Sequence, residues 1–289
     1  MNKRKEAIAG WVFLSPALVV FLSLVFVPVI ASILLSFTKW NFLSGFDGIK
    51  WVGFDNFVKL FKRDRDFKTA LVNTIVYAVS TVPISIVFAL IAAYMLNTKV
   101  FLKKFLRMCF FIPYISSMVA LSAVFKFLFG LQGPINQIVV AFGGEPMKWL
   151  TSSDLCRIPI IAVVVYAGIG FSLIVYMAAL QNVPSELYEA AKIDGASEAA
   201  AFFKITLPLI SPTTFYLLVV RMIAAFKIFT SANIMKYGSN SSGLVNIVYD
   251  EAFGNYNFGY ASATAWVLVG LILIVTLVQM WGQKKWVHY

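Results

Sequence analysis

Four stretches of the 289-residue chain, 7–38, 69–98, 158–185 and 252–283, contain no charged residue. Each is longer than the ~20 apolar residues with which a helix crosses the ~30 Å hydrocarbon core of a bilayer. Backbone inside hydrocarbon must satisfy its own N–H and C=O groups, which at this length means helices. Charge content agrees, because Asp, Glu, Lys and Arg make up 13% of residues where a soluble domain has roughly 25%. With 60% apolar residues and a mean hydropathy of +0.83, the sequence predicts an all-α polytopic membrane protein.

Uncharged runs bounded by Lys or Arg place six transmembrane helices at 11–37, 70–96, 105–129, 158–180, 208–235 and 260–282, within a single domain spanning 1–289. Lys3, Arg4 and Lys5 precede the first run as they would in a signal peptide. Its length, however, exceeds the about 7–15 residues of a signal h-region, so it reads as a retained span. Pro16, Pro28, Pro83 and Pro113 fall inside spans or at their ends, where kinks are expected. An even number of spans puts both termini on one side. Counting bases barely orients them: cytosolic termini put 11 Lys and Arg inside, among them Lys99, Lys103, Lys104 and Lys285, against ten outside.

The excess of 24 bases over 13 acids arises because acids are scarce and bases flank the spans, so it does not point to nucleic acid. Cys109 and Cys156 fall near opposite membrane faces, too far apart for a disulfide. The one histidine is His288, at the end of the chain, and there is no CxxC pair. Histidine-based catalysis and a His/Cys metal cage therefore lack their residues, and no catalytic or metal site is predicted. Gly238-Ser-Asn-Ser-Ser-Gly243 has the glycine spacing of a phosphate loop, but Leu244-Val245 follow where Lys-Ser/Thr is required. It reads as an exposed turn, and any ATP must be handled by another chain.

Charge inside the spans is entirely positive. All 13 acids lie outside them, which argues against a proton-coupled carrier. A sodium site built of carbonyls and hydroxyls, and a channel, remain open alternatives. Lys126, Arg221 and Lys227 are the intramembrane cations, Arg107 at the start of the third span being counted with the cytosolic bases. Lys126 lies near the end of its span and is expected to snorkel, and Lys227 suits a structural role. Arg221 is placed either to line the translocation pathway and attract an anionic ligand, or to bond carbonyls of a partner chain.

Between the fourth and fifth spans, residues 181–208 read as two short helices with a break. Ser185 is expected to cap the first, with Glu186 in its opening turn, and Gly195 to end it in the left-handed conformation. Ser197 is expected to cap the second, whose Phe202, Phe203 and Ile205 turn back to the bundle before Pro208 breaks the chain. Leu187, Ala190 and Ala191 give a small flat apolar face, with Glu189, Asp194 and Glu198 on the wet side, a shape suited to a shallow groove in another protein.

Glu189-Ala190-Ala191, three residues, Gly195, nine residues, Ile205, one residue, Leu207-Pro208 resembles the EAA loop of bacterial binding-protein-dependent ABC importers, in their integral membrane subunits. Seven fixed positions coincide by chance on the order of once in 10⁸. Leu14-Ser-Pro-Ala17, Leu35-Ser-Phe-Thr38, Trp51-Val-Gly-Phe-Asp-Asn-Phe57, Gly133-Pro-Ile-Asn136, Trp149-Leu150, Gly170-Phe171 and Phe258-Gly-Tyr-Ala261 are similar to landmarks of the sugar-type branch. The chain departs from it after Phe229, where Tyr237–Gly243 replaces the usual Gly-Gly-Pro turn.

The resemblance implies a type I importer permease with cytosolic termini in the bacterial cytoplasmic membrane. It implies partners as well: a second, different permease, two ATPase subunits carrying ATP and Mg, and an extracytoplasmic solute-binding protein. Glu189, Ala190, Ala191, Asp194, Gly195, Ile205, Leu207 and Pro208 would dock an ATPase, and this chain would bind no cofactor. The implied activity is ATP-driven import of a carbohydrate, neutral or anionic, by alternating access, with Arg221 and Lys227 as candidate pathway residues.

Overall fold

The structure is a computed structural model that describes residues 3–97, 102–284 and 287. Lys99, Lys285 and His288 lie outside the described residues. Among the described residues, five helical spans are long and apolar enough to cross a membrane: Ala9–Ser36, Arg65–Asn97, Arg157–Gln181, Ser211–Ile234 and Phe258–Gln283. At 1.5 Å per residue, the second alone is about 50 Å long.

The third expected span differs from a simple helix. α5 (Lys103–Ile115) and α6 (Met118–Leu128) are bent by 100° at the break between them, so 105–129 is not one continuous helix. The turn falls after Pro113, where Ser116 and Ser117 adopt extended backbone. Both the amide and the hydroxyl of Ser116 donate to the Ile112 carbonyl, the latter at 2.8 Å, so the hydroxyl doubles the last helical bond of α5 and is itself satisfied at the turn.

The chain forms two compact units, residues 1–64 with 247–267, and residues 65–246 with 268–289. In the first, α1 (Lys3–Phe21) runs through a π-helical turn at Leu22–Phe26 into α2 (Val27–Ser36). The most apolar window of this span is wholly unburied, leaving it for lipid or another chain to cover. Strands β1 (Thr38–Lys39) and β2 (Lys50–Trp51) pair antiparallel, with Thr38 opposite Trp51. α3 (Asp55–Lys62) follows, and its buried Asn56 donates to the Ser36 and Thr38 carbonyls, both at 2.8 Å. The Phe37 ring stacks on Trp51 at 5.7 Å and meets Phe54 edge-on at 5.2 Å. A Cβ on Gly259 would sit 2.0 Å from the Thr38 carbonyl, so backbone meets backbone there. Several landmark segments of the sequence are thus one joint.

The second unit centres on α4 (Arg65–Asn97) against α8 (Arg157–Gln181). Asn73, Tyr77, Thr81, Ser85, Ala89 and Ala93 recur at helical spacing along the buried face of α4. Thr81 and Ser85 turn their hydroxyls onto the carbonyls four residues back, which lets small polar residues line the contact without orphaned donors. Tyr77, Ile160, Val163, Ala232 and Met235 form a core cluster. A Cβ on Gly170 would lie 2.5 Å from the Phe110 carbonyl, so α8 meets α5 backbone there.

α7 (Pro134–Ala141) is fixed by Asn136, which is 1% exposed. Its amide donates to the Gly130, Leu131 and Met147 carbonyls, and its oxygen accepts from the Met147 amide and from Trp149 Nε1. The remaining helices are α9 (Ser185–Ile193), α10 (Glu198–Ala201), α11 (Leu207–Leu209), α12 (Ser211–Phe226), α13 (Thr230–Ile234), α14 (Leu244–Tyr249) and α15 (Phe258–Gln283).

The 238–243 turn is not the exposed turn that its composition suggests. Ser241 and Ser242 are 0% and 1% exposed. Asn73 donates to the Asn240 and Ser242 carbonyls at 2.9 and 2.8 Å, and the Tyr77 hydroxyl donates to the Ser241 carbonyl at 2.7 Å. The Asn73 oxygen accepts from Arg157 Nε at 2.7 Å. Side chains on α4, remote in sequence, supply the donors that allow a serine-rich loop to be buried.

Candidate functional site

α9 and α10 form an exposed hairpin. α9 ends in two bonds that define a Schellman motif: Gly195 N–H to the Lys192 carbonyl, and Ala196 N–H to the Ala191 carbonyl. Gly195 has φ +74°, where any L side chain is strained. Ser197 caps α10, its hydroxyl accepting from the Ala200 amide at 3.2 Å. Ser185 does not cap α9. It is the first helical residue after Pro184, which holds the extended N-cap position, and no side chain bonds there.

Glu189, Ala190, Asp194 and Gly195 are exposed, Ala191 is half-buried, and Leu187 and Ile193 are 41% and 86% exposed. Among the described residues, nothing covers this acidic and apolar surface. Ile205, Leu207 and Pro208, on the other arm, are half-buried.

The second arm continues through a π-helical turn, Phe202–Thr206, and α11 instead of breaking at Pro208; the break comes at Ile210, before Pro212 in the first turn of α12. Phe203 faces outward at 64% exposure, contrary to its expected place against the bundle, because the wide turn shifts its direction. Phe202 does turn inward and meets Tyr94 of α4 edge-on at 4.7 Å. Two residues that sequence reasoning passed over tie the arms together: the Tyr188 hydroxyl and Thr206 Oγ1 lie 2.8 Å apart. Their only signal was a tyrosine among alanines and a threonine before Leu-Pro.

Arg221 and Lys227 come together at the wall of one cavity of about 240 Å³ in the second unit. Arg221 projects from α12, and Lys227 terminates that helix. The other walls come from Thr81 on α4, Tyr114 on α5, Met118 on α6 and Gly168 on α8. A Cβ on Gly168 would sit 1.8 Å from Arg221 Nη2, so the missing side chain leaves the guanidinium its place. Arg221 Nε and Ser231 Oγ are buried without a hydrogen-bond partner. Lys126 is occupied elsewhere: its ammonium donates to the Ile234 carbonyl at 2.8 Å, neutralising the end of α13.

With that geometry in view, the relatives are informative. Residues 85–286 match the family described as binding-protein-dependent transport system inner membrane component, and the chain belongs to it. It is a membrane-embedded transport component and not an enzyme. The probable ABC transporter permease protein YesP of Bacillus subtilis is 34% identical, over 99% of this chain and 94% of its own length. The lactose transport system permease protein LacF of Rhizobium radiobacter is 31% identical, over 98% and 96%. Among solved structures, a bacterial ABC transporter described as involved in the import of the acidic polysaccharide alginate shares the fold. Its TM-score is 0.82 at 24% identity, over 97% of this chain and 96% of that one.

Proposed function

We propose that the chain is one permease subunit of an ATP-driven carbohydrate importer, working by alternating access beside a second permease, two ATPase subunits and an extracytoplasmic binding protein. The carbohydrate class is drawn from the relatives' names, which include permeases for lactose and arabinooligosaccharides. Six crossings, the bent α5–α6 pair being one, keep both termini in the cytosol on this reading.

The observation that carries coupling to an ATPase is the hairpin. Its Leu187 and Ile193 are exposed beside Glu189 and Asp194, and its shape is fixed by a left-handed Gly195. A surface of that kind fits a groove in a partner. Closure of two ATPase subunits on ATP would then draw this hairpin and its counterpart together and open the permease pair outward. Among the cavity-lining residues there is no Asp or Glu to carry a proton, so nothing favours a proton-coupled carrier.

Gly195→Pro tests the docking, because proline fixes φ near −65° where the motif needs +74°. The expected outcome is a subunit that inserts and assembles with its permease partner but loses ATP-dependent uptake and substrate-stimulated ATPase activity. Wild-type uptake in that variant would refute the docking role.

A further inference from the structure

We infer that the Arg221 cavity contacts the anionic group, carboxylate or phosphate, of a charged saccharide, an inference that rests on the carbohydrate reading above. Two cations, Arg221 and Lys227, line this space. No residue lining the cavity is an acid. The sequence has no Asp or Glu between 67 and 144, between 155 and 185, or between 199 and 249, and those ranges contain every residue that lines the cavity.

A bare guanidinium within a membrane span costs roughly 2.5–3.5 kcal/mol, so a chain that keeps one there needs something to bond it. Here that need is unmet. Arg221 Nε is buried without an acceptor, and Ser231, 1% exposed, turns an unpartnered hydroxyl to the same cavity.

Gly168 adds a second, independent sign. On α8 the absent side chain leaves the room that the guanidinium occupies, and a Cβ there would require Arg221 to move aside. Guanidinium presents a planar fork of donors that matches carboxylate or phosphate oxygens, and Lys227 contributes a second positive charge at the rim. Tyr114 and Thr230 bring hydroxyls to the lining, suited to the neutral hydroxyls of a sugar ring. The volume of about 240 Å³ falls below the ~300 Å³ usual for a whole small-molecule site, so one charged ring enters this part of the passage at a time.

The test uses the assembled transporter with its binding protein in proteoliposomes loaded with ATP. Four probe sets are offered: hydrolysates of pectin and glucuronoxylan, the same hydrolysates after reduction of their carboxyl groups, neutral oligosaccharides, and sugar phosphates. Uptake is read by mass spectrometry. ATP-dependent uptake of uronate-containing saccharides that disappears on carboxyl reduction supports a carboxylate ligand, and uptake confined to sugar phosphates supports a phosphate. Arg221→Gln then raises KM for the accepted anion by roughly tenfold to a hundredfold, with Arg221→Lys intermediate. If Arg221→Gln fails to assemble, Lys227→Gln carries the measurement, with a smaller rise in KM. Uptake of neutral and carboxyl-reduced saccharides as good as that of acidic ones overturns this inference while leaving the carbohydrate reading intact. Uptake of no saccharide at all overturns both. An unchanged KM in the variants means that Arg221 bonds a partner chain, and that also overturns the inference.

Discussion

Asn73→Leu removes a bracket of hydrogen bonds while keeping the side-chain volume close. In the native chain Asn73 is fully buried, donates to the Asn240 and Ser242 carbonyls, and accepts from Arg157 Nε at 2.7 Å. Two neutral bonds at about 1 kcal/mol each and one charge-assisted bond at about 1.5–3 kcal/mol sum to about 3.5–5 kcal/mol. At roughly 2 °C per kcal/mol for a chain of this size, the melting temperature of the purified transporter should fall by roughly 7–10 °C. Tyr77→Phe, which removes the single bond to the Ser241 carbonyl, provides the scale and should cost about 1 kcal/mol. The decisive assay is a double-mutant cycle with Arg157→Met. If the two residues share the bond described, the double variant is less destabilised than the sum of the singles by about 1.5–3 kcal/mol. Additivity within about 0.5 kcal/mol, or an Asn73→Leu melt no lower than that of Tyr77→Phe, would refute the reasoning.

Two further outcomes are expected elsewhere. Gly170→Ala forces its Cβ against the Phe110 carbonyl, a fixed backbone atom, so α5 must move and stability should drop by about 1–3 kcal/mol, read as a lower melting temperature. In detergent, N-ethylmaleimide should label exposed Cys109 within minutes and spare Cys156. Burial also pushes the Cys156 thiol above its usual pKa, so at a given pH less of it is the reactive thiolate, which adds to the slowness of its labelling. Mass spectrometry of the two peptides checks this, and equal labelling would contradict the burial.

Features set by local chemistry were legible in the sequence. Long uncharged runs can be satisfied only as membrane helices, and Gly195 and Ser197 mark a helix end and a helix start because their conformational and bonding preferences act within a few residues. What stayed hidden depended on partners far along the chain. The 238–243 turn read as exposed because its composition is polar, yet its carbonyls are bonded by α4 side chains that no local pattern links to it. Pro113 signalled a kink, but the 100° turn comes three residues later, where the Ser116 hydroxyl stabilises the break. Arg221 stood out as a costly charge, whereas Gly168 gave no sign of being the notch that receives it.

α4 touches both regions that matter. Tyr94, near one end, is in ring contact with Phe202 in the second arm of the α9–α10 hairpin, and Thr81 lines the Arg221 cavity, 13 residues or about 20 Å along the same rod. Pro83 lies between them, two residues from Thr81, at a point where the helix lacks one backbone hydrogen bond and is softened. If a partner pushes on the hairpin as proposed and Phe202 moves with it, the first point along α4 that lacks a backbone hydrogen bond is Pro83, beside the cavity. On that reading, a partner's push at one surface of the protein would be felt first where a ligand would be held.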